Sequence, residues 1–206
     1  MLRRRLGQVL FGAAAAWPGT LALADPGLGR VEIGALAPDV TLLGMDGRPH
    51  ALSDHRGQWV VLEWTSPVCP YTAIKYRHGY MQAIQRRAAA RGVVWLCVNT
   101  SSPAKPGYLT PDAARGRLAA MKATVSGFLF DDQGRAGRAF GVRVTPTVLL
   151  VGKDGRLAYQ GGLDQNPERS RDNGADTLTL ALAELAAGRP VATPETRPYG
   201  CGLEYP

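Results

Sequence analysis

Two apolar runs, "QWVVLEW" at 58–64 and "VVWLCVN" at 93–99, constrain the fold of this chain more than any other feature. Neither alternates between apolar and polar residues, and unbroken runs of this kind belong to strands covered on both faces, as in a parallel sheet. Parallel neighbours need a crossover of about a dozen residues or more, and the interval 65–92 supplies one. It carries a helix signal: Pro70 suits a first helical position, and Ile74, Met81, Ile84 and Ala88 recur on one face of a helix from 70 to about 90, closed by Gly92. The chain is therefore expected to contain a strand–helix–strand unit of the α/β class.

The flanking segments complete a pattern. "APDVTLLGMDGRPHALSDHRG" reads as two short strands around an Asp46-Gly47 turn, then a tight loop at 53–57. After the second apolar run come a Ser/Pro/Gly loop, a helix at 111–122, a short strand at 128–130 and a short helix at 135–140. "TVLLVGKDGRLAYQGG" is a hairpin turning at Asp154-Gly155, and a polar loop leads into a helix at 177–187 ended by Gly188 and Pro190. The proline-rich tail, "VATPETRPYGCGLEYP", is expected to lie against the body without forming an element. This order predicts a thioredoxin-like α/β fold, with a central mixed sheet flanked by helices and an N-terminal β-hairpin extension.

The first residues read as something other than fold. A basic start (MLRRR), the apolar stretch LGQVLFGAAAAW and the small residues Ala22-Leu23-Ala24 form an export signal, with cleavage expected after Ala24. An uncleaved membrane anchor is the alternative, against which the break at Pro18-Gly19 argues. Arg3-Arg4-Arg5 also permits a twin-arginine route. The expected divisions are a signal peptide at 1–24, one domain at 25–190 and a tail at 191–206, with a periplasmic or secreted location. No later segment approaches the ~20 apolar residues of a membrane span, so no membrane contact is expected after cleavage. Three of the 24 basic side chains leave with the signal, against 17 acidic ones, lowering the net charge from +7 to about +4. The basic residues are scattered and not clustered with aromatics, which gives nucleic-acid binding no support.

Three cysteines, Cys69, Cys97 and Cys201, are an odd number for an exported chain. Cys69 ends a loop after a buried strand and begins a helix, at the edge of a parallel sheet where ligand sites form. Unpaired N–H groups of a first helical turn stabilise a thiolate and lower its pKa below ~8.5. The hydroxyls of Thr65, Ser66 and Thr72 are near enough in sequence to donate to it. The competing reading is a small cysteine packed beneath a loop.

The stretch "SPVCP" resembles the peroxiredoxin active site, in which a Thr or Ser stands three residues before the peroxide-reactive cysteine. Ser66 and Cys69 occupy those places. The family's active-site proline is replaced by Leu62, and its peroxide-binding arginine is missing before "RVTPTVLLV", where Arg143 or Arg138 are the substitutes at hand. Thr145-Pro146 resembles instead the thioredoxin cis-proline, which lies beside the active-site cysteine and receives substrate backbone; a cis peptide is expected there. "GALAPDVTLLGMDGRPHALSDHRG" is similar to the opening of the alkyl-hydroperoxide-reductase and thiol-antioxidant class. "AFGVRVTPTVLLVGKDGRLAYQGGLD", "LAELAAGRPV" and "TRPYGCGLEY" look like a peroxiredoxin-like, redoxin-type branch of the thioredoxin superfamily. Members of that branch often carry CxxC followed by Pro, and Ser66 replaces the first of those cysteines.

The resemblance implies catalytic roles for Cys69 and Ser66, and substrate contacts from Thr65, Thr72, Thr145 and Pro146. Glu63 matches the carboxylate that thioredoxin-like enzymes bury behind the cysteine; it either does this proton-transfer work or points to a solvated strand end. Cys97 reads as a small core side chain. Cys201 either resolves an oxidised Cys69 or is a tail thiol that pairs with nothing. His78 falls on the helix begun by Cys69, too far along it to be its base. Copper chaperones of this fold place a second cysteine where Thr65 stands, so no metal site is expected, and no cofactor. The expected activity is an exported thiol-dependent oxidoreductase acting on peroxides or protein disulfides and restored by a thiol reductant. The alternative is a non-catalytic module that holds a peptide or partner protein in the groove around Cys69 and Pro146.

Overall fold

The computed structural model describes residues 29–169, 171 and 176–206, so the signal peptide read at 1–24 lies outside the described residues. The chain enters the sheet through a hairpin, β1 (Thr41–Gly44) and β2 (Pro49–Ala51), then makes a 3-10 turn at Leu52–His55. β3 (Val60–Trp64) leads into α1 (Pro70–Arg77) and α2 (Tyr80–Ala89), and β4 (Val94–Asn99) into α3 (Pro111–Ala120). β5 (Gly127–Phe130), α4 (Arg135–Phe140), the two-residue β6 (Val144–Thr145), β7 (Thr147–Val151) and β8 (Leu157–Gly161) follow. The described chain ends with α5 (Thr177–Ala186) and β9 (Cys201–Gly202).

Seven strands form one mixed sheet in the order β2-β1-β5-β4-β3-β7-β8. β3, β4 and β5 are parallel, while β7 pairs antiparallel with β3, and β1 with β5. Alternation along β3 divides the interior. Val60, Leu62 and Trp64 join Leu96, Val98, Leu149 and Phe140 on one face. Val61 joins Trp95, Cys97 and Leu150 under Tyr80, Met81 and Ile84 on the other. Each such fully buried side chain contributes about 1.5–3 kcal/mol, and the two-sided burial accounts for the unbroken apolar runs.

Four expectations need correction. The single helix read from 70 to 90 is two helices, because Gly79 adopts φ 82°, a left-handed conformation that interrupts the helix after His78. His78 therefore caps the end of α1. Ile74 is half-buried and Lys75 takes its place inside, with no exposed surface. Finally, the tail does form an element: β9 pairs antiparallel with β6, setting Val144 opposite Gly202 and Thr145 opposite Cys201.

Candidate functional site

Cys69 occupies the N-cap of α1, where Pro70 begins the helix and needs no amide partner. The side chain is 1% exposed. As a thiol it donates to the Thr145 carbonyl at 3.1 Å, across the Thr145–Pro146 peptide, which is cis as expected. Burial by itself would raise the thiol pKa. The Cys69 pKa nonetheless lies below its ordinary value, because the Cys201 thiol, the Thr72 backbone N–H, the Thr145 side chain and the Cys201 N–H all favour the thiolate. Cys201, half-buried, moves the opposite way: burial first, and then the neighbouring Cys69, push it up to about 11. The pair thus concentrates its negative charge on Cys69 and its proton on Cys201. All three cysteines carry free thiols.

The tail brings Cys201 there by a series of fixed contacts. Thr196 bonds to the Gln160 carbonyl of β8, and the Tyr199 hydroxyl donates to Asp164 at 2.8 Å. Asp164 also accepts from the buried Lys75 at 3.0 Å, and the same ammonium reaches the carbonyls of Asn166 at 2.7 Å and Arg169 at 3.0 Å. Lys75 lies on α1, the helix that Cys69 begins, so this clasp fixes the tail to the same helix. Gly200 passes so close to β6 that a Cβ there would lie 1.8 Å from the Thr145 oxygen, and its φ of 136° excludes other residues without strain. Beyond Cys201, Leu203 bonds to Arg143, and the Glu204 carboxylate accepts from the Gly107 amide at 2.8 Å and from Ser101 at 3.3 Å.

The other expected residues divide into two groups. Thr145 and Pro146 are buried at the cysteine pair, and Thr72 supplies the amide already described. Thr65 and Thr72 are buried, and their hydroxyls have no partner among the described residues. Ser66 organises the loop: its hydroxyl accepts from Val68 and its carbonyl from Cys69, both at 3.4 Å. Glu63 is fully buried rather than solvated, but its partners are not Cys69. It accepts from Trp95 at 2.8 Å, Tyr76 at 3.1 Å, Gln85 at 3.4 Å and Cys97 at 3.6 Å. Burial raises its pKa against the lowering effect of those donors. Cys97 is therefore not a mere apolar filler, since burial and the carboxylate beside it hold its thiol well above the ordinary value.

Neither substitute arginine serves Cys69. Arg138 is spent on the carbonyls of Gln133 and Pro206 and lies over the Tyr205 ring, while Arg143 is exposed. Lys75, Asp164, Tyr199 and Glu204 were not anticipated. A lysine in a helix reads as surface, and only the phrase "YGCG" hinted at a close approach by the tail. Among the described residues no group of three or more His, Cys, Asp or Glu side chains could hold a metal, and no helix is long and apolar enough to cross a membrane.

Comparison with known proteins bears on the family and the fold. The chain is 29% identical over 127 residues to the thiol-disulfide oxidoreductase ResA of Geobacillus thermodenitrificans, covering 62% of this chain and 67% of that protein. Its fold matches that of a hypothetical protein of Sinorhizobium meliloti with a TM-score of 0.75 and 20% identity, over 86% of this chain and 97% of the other. A Chlorobium tepidum protein described as a thiol:disulfide interchange protein DsbE aligns with a TM-score of 0.51 and 30% identity, over 63% and 84% of the two chains. The family model Redoxin matches residues 32–178, well over half of the sequence, and the chain accordingly belongs to the redoxin family of the thioredoxin superfamily.

Proposed function

We propose that the protein is an exported thiol–disulfide oxidoreductase whose working pair is Cys69 and Cys201. The observation that carries this reading is the antiparallel pairing of Thr145 with Cys201, which sets the tail thiol against the sulfur at the N-terminus of α1. The Cys69 thiolate attacks one sulfur of a substrate disulfide, forms a mixed disulfide and expels the other substrate sulfur as a thiolate. That step removes the negative charge from Cys69, and with it one of the causes that hold the Cys201 proton in place. The Tyr71 amide favours the Cys201 thiolate that follows. Cys201 then attacks Cys69, the second substrate thiol leaves, and a Cys69–Cys201 disulfide remains for a thiol reductant to reopen. Ser66, Thr65, Thr72, Thr145 and Pro146 shape the loop and edge around the reacting sulfurs.

The missing CxxC partner argued against dithiol exchange in the sequence; Cys201 supplies that partner from the other end of the chain. Peroxide reduction is less well served, since Arg138 is engaged by Gln133, Pro206 and Tyr205 and Arg143 is exposed. Export rests on the signal at 1–24, and N-terminal sequencing of the exported form should then begin at Asp25. The central experiment oxidises the reduced protein with a small disulfide and maps its peptides. The expected product is a linked pair containing Cys69 and Cys201, with Cys201→Ala halting at the mixed disulfide. If no tail-linked peptide forms and Cys201→Ala turns over at the wild-type rate, Cys201 has no part in the reaction.

A further inference from the structure

The break between α1 and α2 opens a cavity of about 600 Å³, on the side of α1 facing α3, which none of the steps above uses. Its size lies within the range of small-molecule sites. Four cations converge on it: Arg77 from the last turn of α1, Arg86 from α2, Arg117 from α3, and Lys122 just beyond α3. No aspartate or glutamate lines it, and among the described residues none of the four cations makes an ion pair. Arg77, Arg86 and Lys122 are exposed, and water can solvate them.

Arg117 cannot be dismissed in that way. It is half-buried, and a guanidinium offers five N–H donors. Among the described residues the one hydrogen bond its guanidinium makes is long, 3.5 Å to the carbonyl of Ser66. The acid behind it, Glu63, is occupied by Trp95, Tyr76, Gln85 and Cys97. None of the Arg117 nitrogens is buried without a partner, so the donors that Ser66 leaves are available to an anion in the cavity. Gln82 braces the same wall. It is 8% exposed, its amide nitrogen is fixed by the carbonyls of Tyr76 and Met121, and its Oε1 receives no donor among the described residues.

We infer that this cavity binds a small molecule carrying two or more oxyanion groups, carboxylate or phosphate. Two or more negative groups suit it because the four cations come from α1, α2 and the end of α3, so that one oxyanion meets only some of them. Arg117 also touches the loop that carries Cys69, so occupancy is felt three residues from the reactive sulfur. The site is independent of the reading of the Cys69–Cys201 pair.

The probes are citrate and pyrophosphate, titrated calorimetrically into the full chain at fixed ionic strength. Saturable one-to-one binding is expected, with acetate much weaker. The double variant Arg77→Gln/Arg86→Gln alters only exposed side chains and should weaken binding at least tenfold, as should Arg117→Gln. Arg135→Gln, exposed on α4 and away from the cavity, should leave it unchanged. The site is refuted by the absence of saturable binding for both probes, by an unchanged affinity in the double variant, or by an equal loss in Arg135→Gln. Should Arg117→Gln fail to fold, the double variant still decides.

Discussion

Cys69 and Cys97 are equally buried, each 1% exposed, yet their thiols are displaced in opposite directions. Cys97 lies in β4 beside Glu63, where burial and a neighbouring carboxylate both disfavour a second negative charge. Cys69 is as little exposed but less deeply enclosed, and the Cys201 thiol and an N-terminal amide of α1 favour its thiolate. The two thiols thus differ in their neighbours as well as in their depth: donors surround one sulfur and a carboxylate stands beside the other. The same contrast separates two buried charges. Glu63 is saturated by donors on the core side of α1, and Lys75 by acceptors on the tail side.

The largest effect should come from removing the favoured sulfur. Cys69→Ser is expected to lower the rate of disulfide exchange on the order of a thousandfold or more, as loss of a nucleophile does. Cys97→Ser should leave that rate unchanged. Stopped-flow reduction of a disulfide substrate tests both, and a rate that depends on Cys97 would break the contrast.

Next in size is Glu63→Leu, which leaves the donors of Trp95, Tyr76 and Gln85 without their acceptor and should cost about 3 kcal/mol, at 1–3 per buried group. The wild type carries a pH signature here. Because the folded pKa of Glu63 is raised, its contribution to stability is full below the unfolded carboxylate value and is lost as pH rises through the folded one. Urea unfolding across pH should show that loss in the wild type and its absence in the variant. The titration of Cys69 should stay in place; if it moves, Glu63 works on the active thiol after all.

The smallest effect is the most diagnostic. Cys201→Ala removes a half-buried side chain and should change stability by less than about 1 kcal/mol. It also removes a donor from the Cys69 thiolate, so the midpoint of Cys69 alkylation against pH should rise while staying below that of Cys97. An unmoved midpoint would mean that the first turn of α1 does all the work.

The fold was legible where periodicity and punctuation agreed. The runs 58–64 and 93–99, the hairpin at Asp154-Gly155 and Cys69 at a helix start are local statements, and local statements can be read from neighbours in sequence. Gly79 was read through because the apolar spacing of Met81, Ile84 and Ala88 continues across it, although a glycine with φ 82° ends one helix and begins another. Lys75 was invisible for a different reason. Its acceptors come from positions 164–169, and no local pattern announces a charge whose partners lie some ninety residues away. The tail was read as lying against the body, which it does, but its proline and glycine hid the strand β9 and the fixed contacts of Tyr199, Gly200 and Glu204.

Cys201 stands roughly 130 residues after Cys69, and loop closure over such a length carries a steep entropic cost in an unfolded chain. In a CxxC motif the two sulfurs remain neighbours even when the protein has lost its shape. Here they meet because β6 and β9 pair, which sets Thr145 opposite Cys201. Cys69 is placed at its helix end as soon as α1 forms, but Cys201 reaches it only when the whole domain has closed. The thiol pair is therefore a property of the finished fold, and it disappears when the fold does.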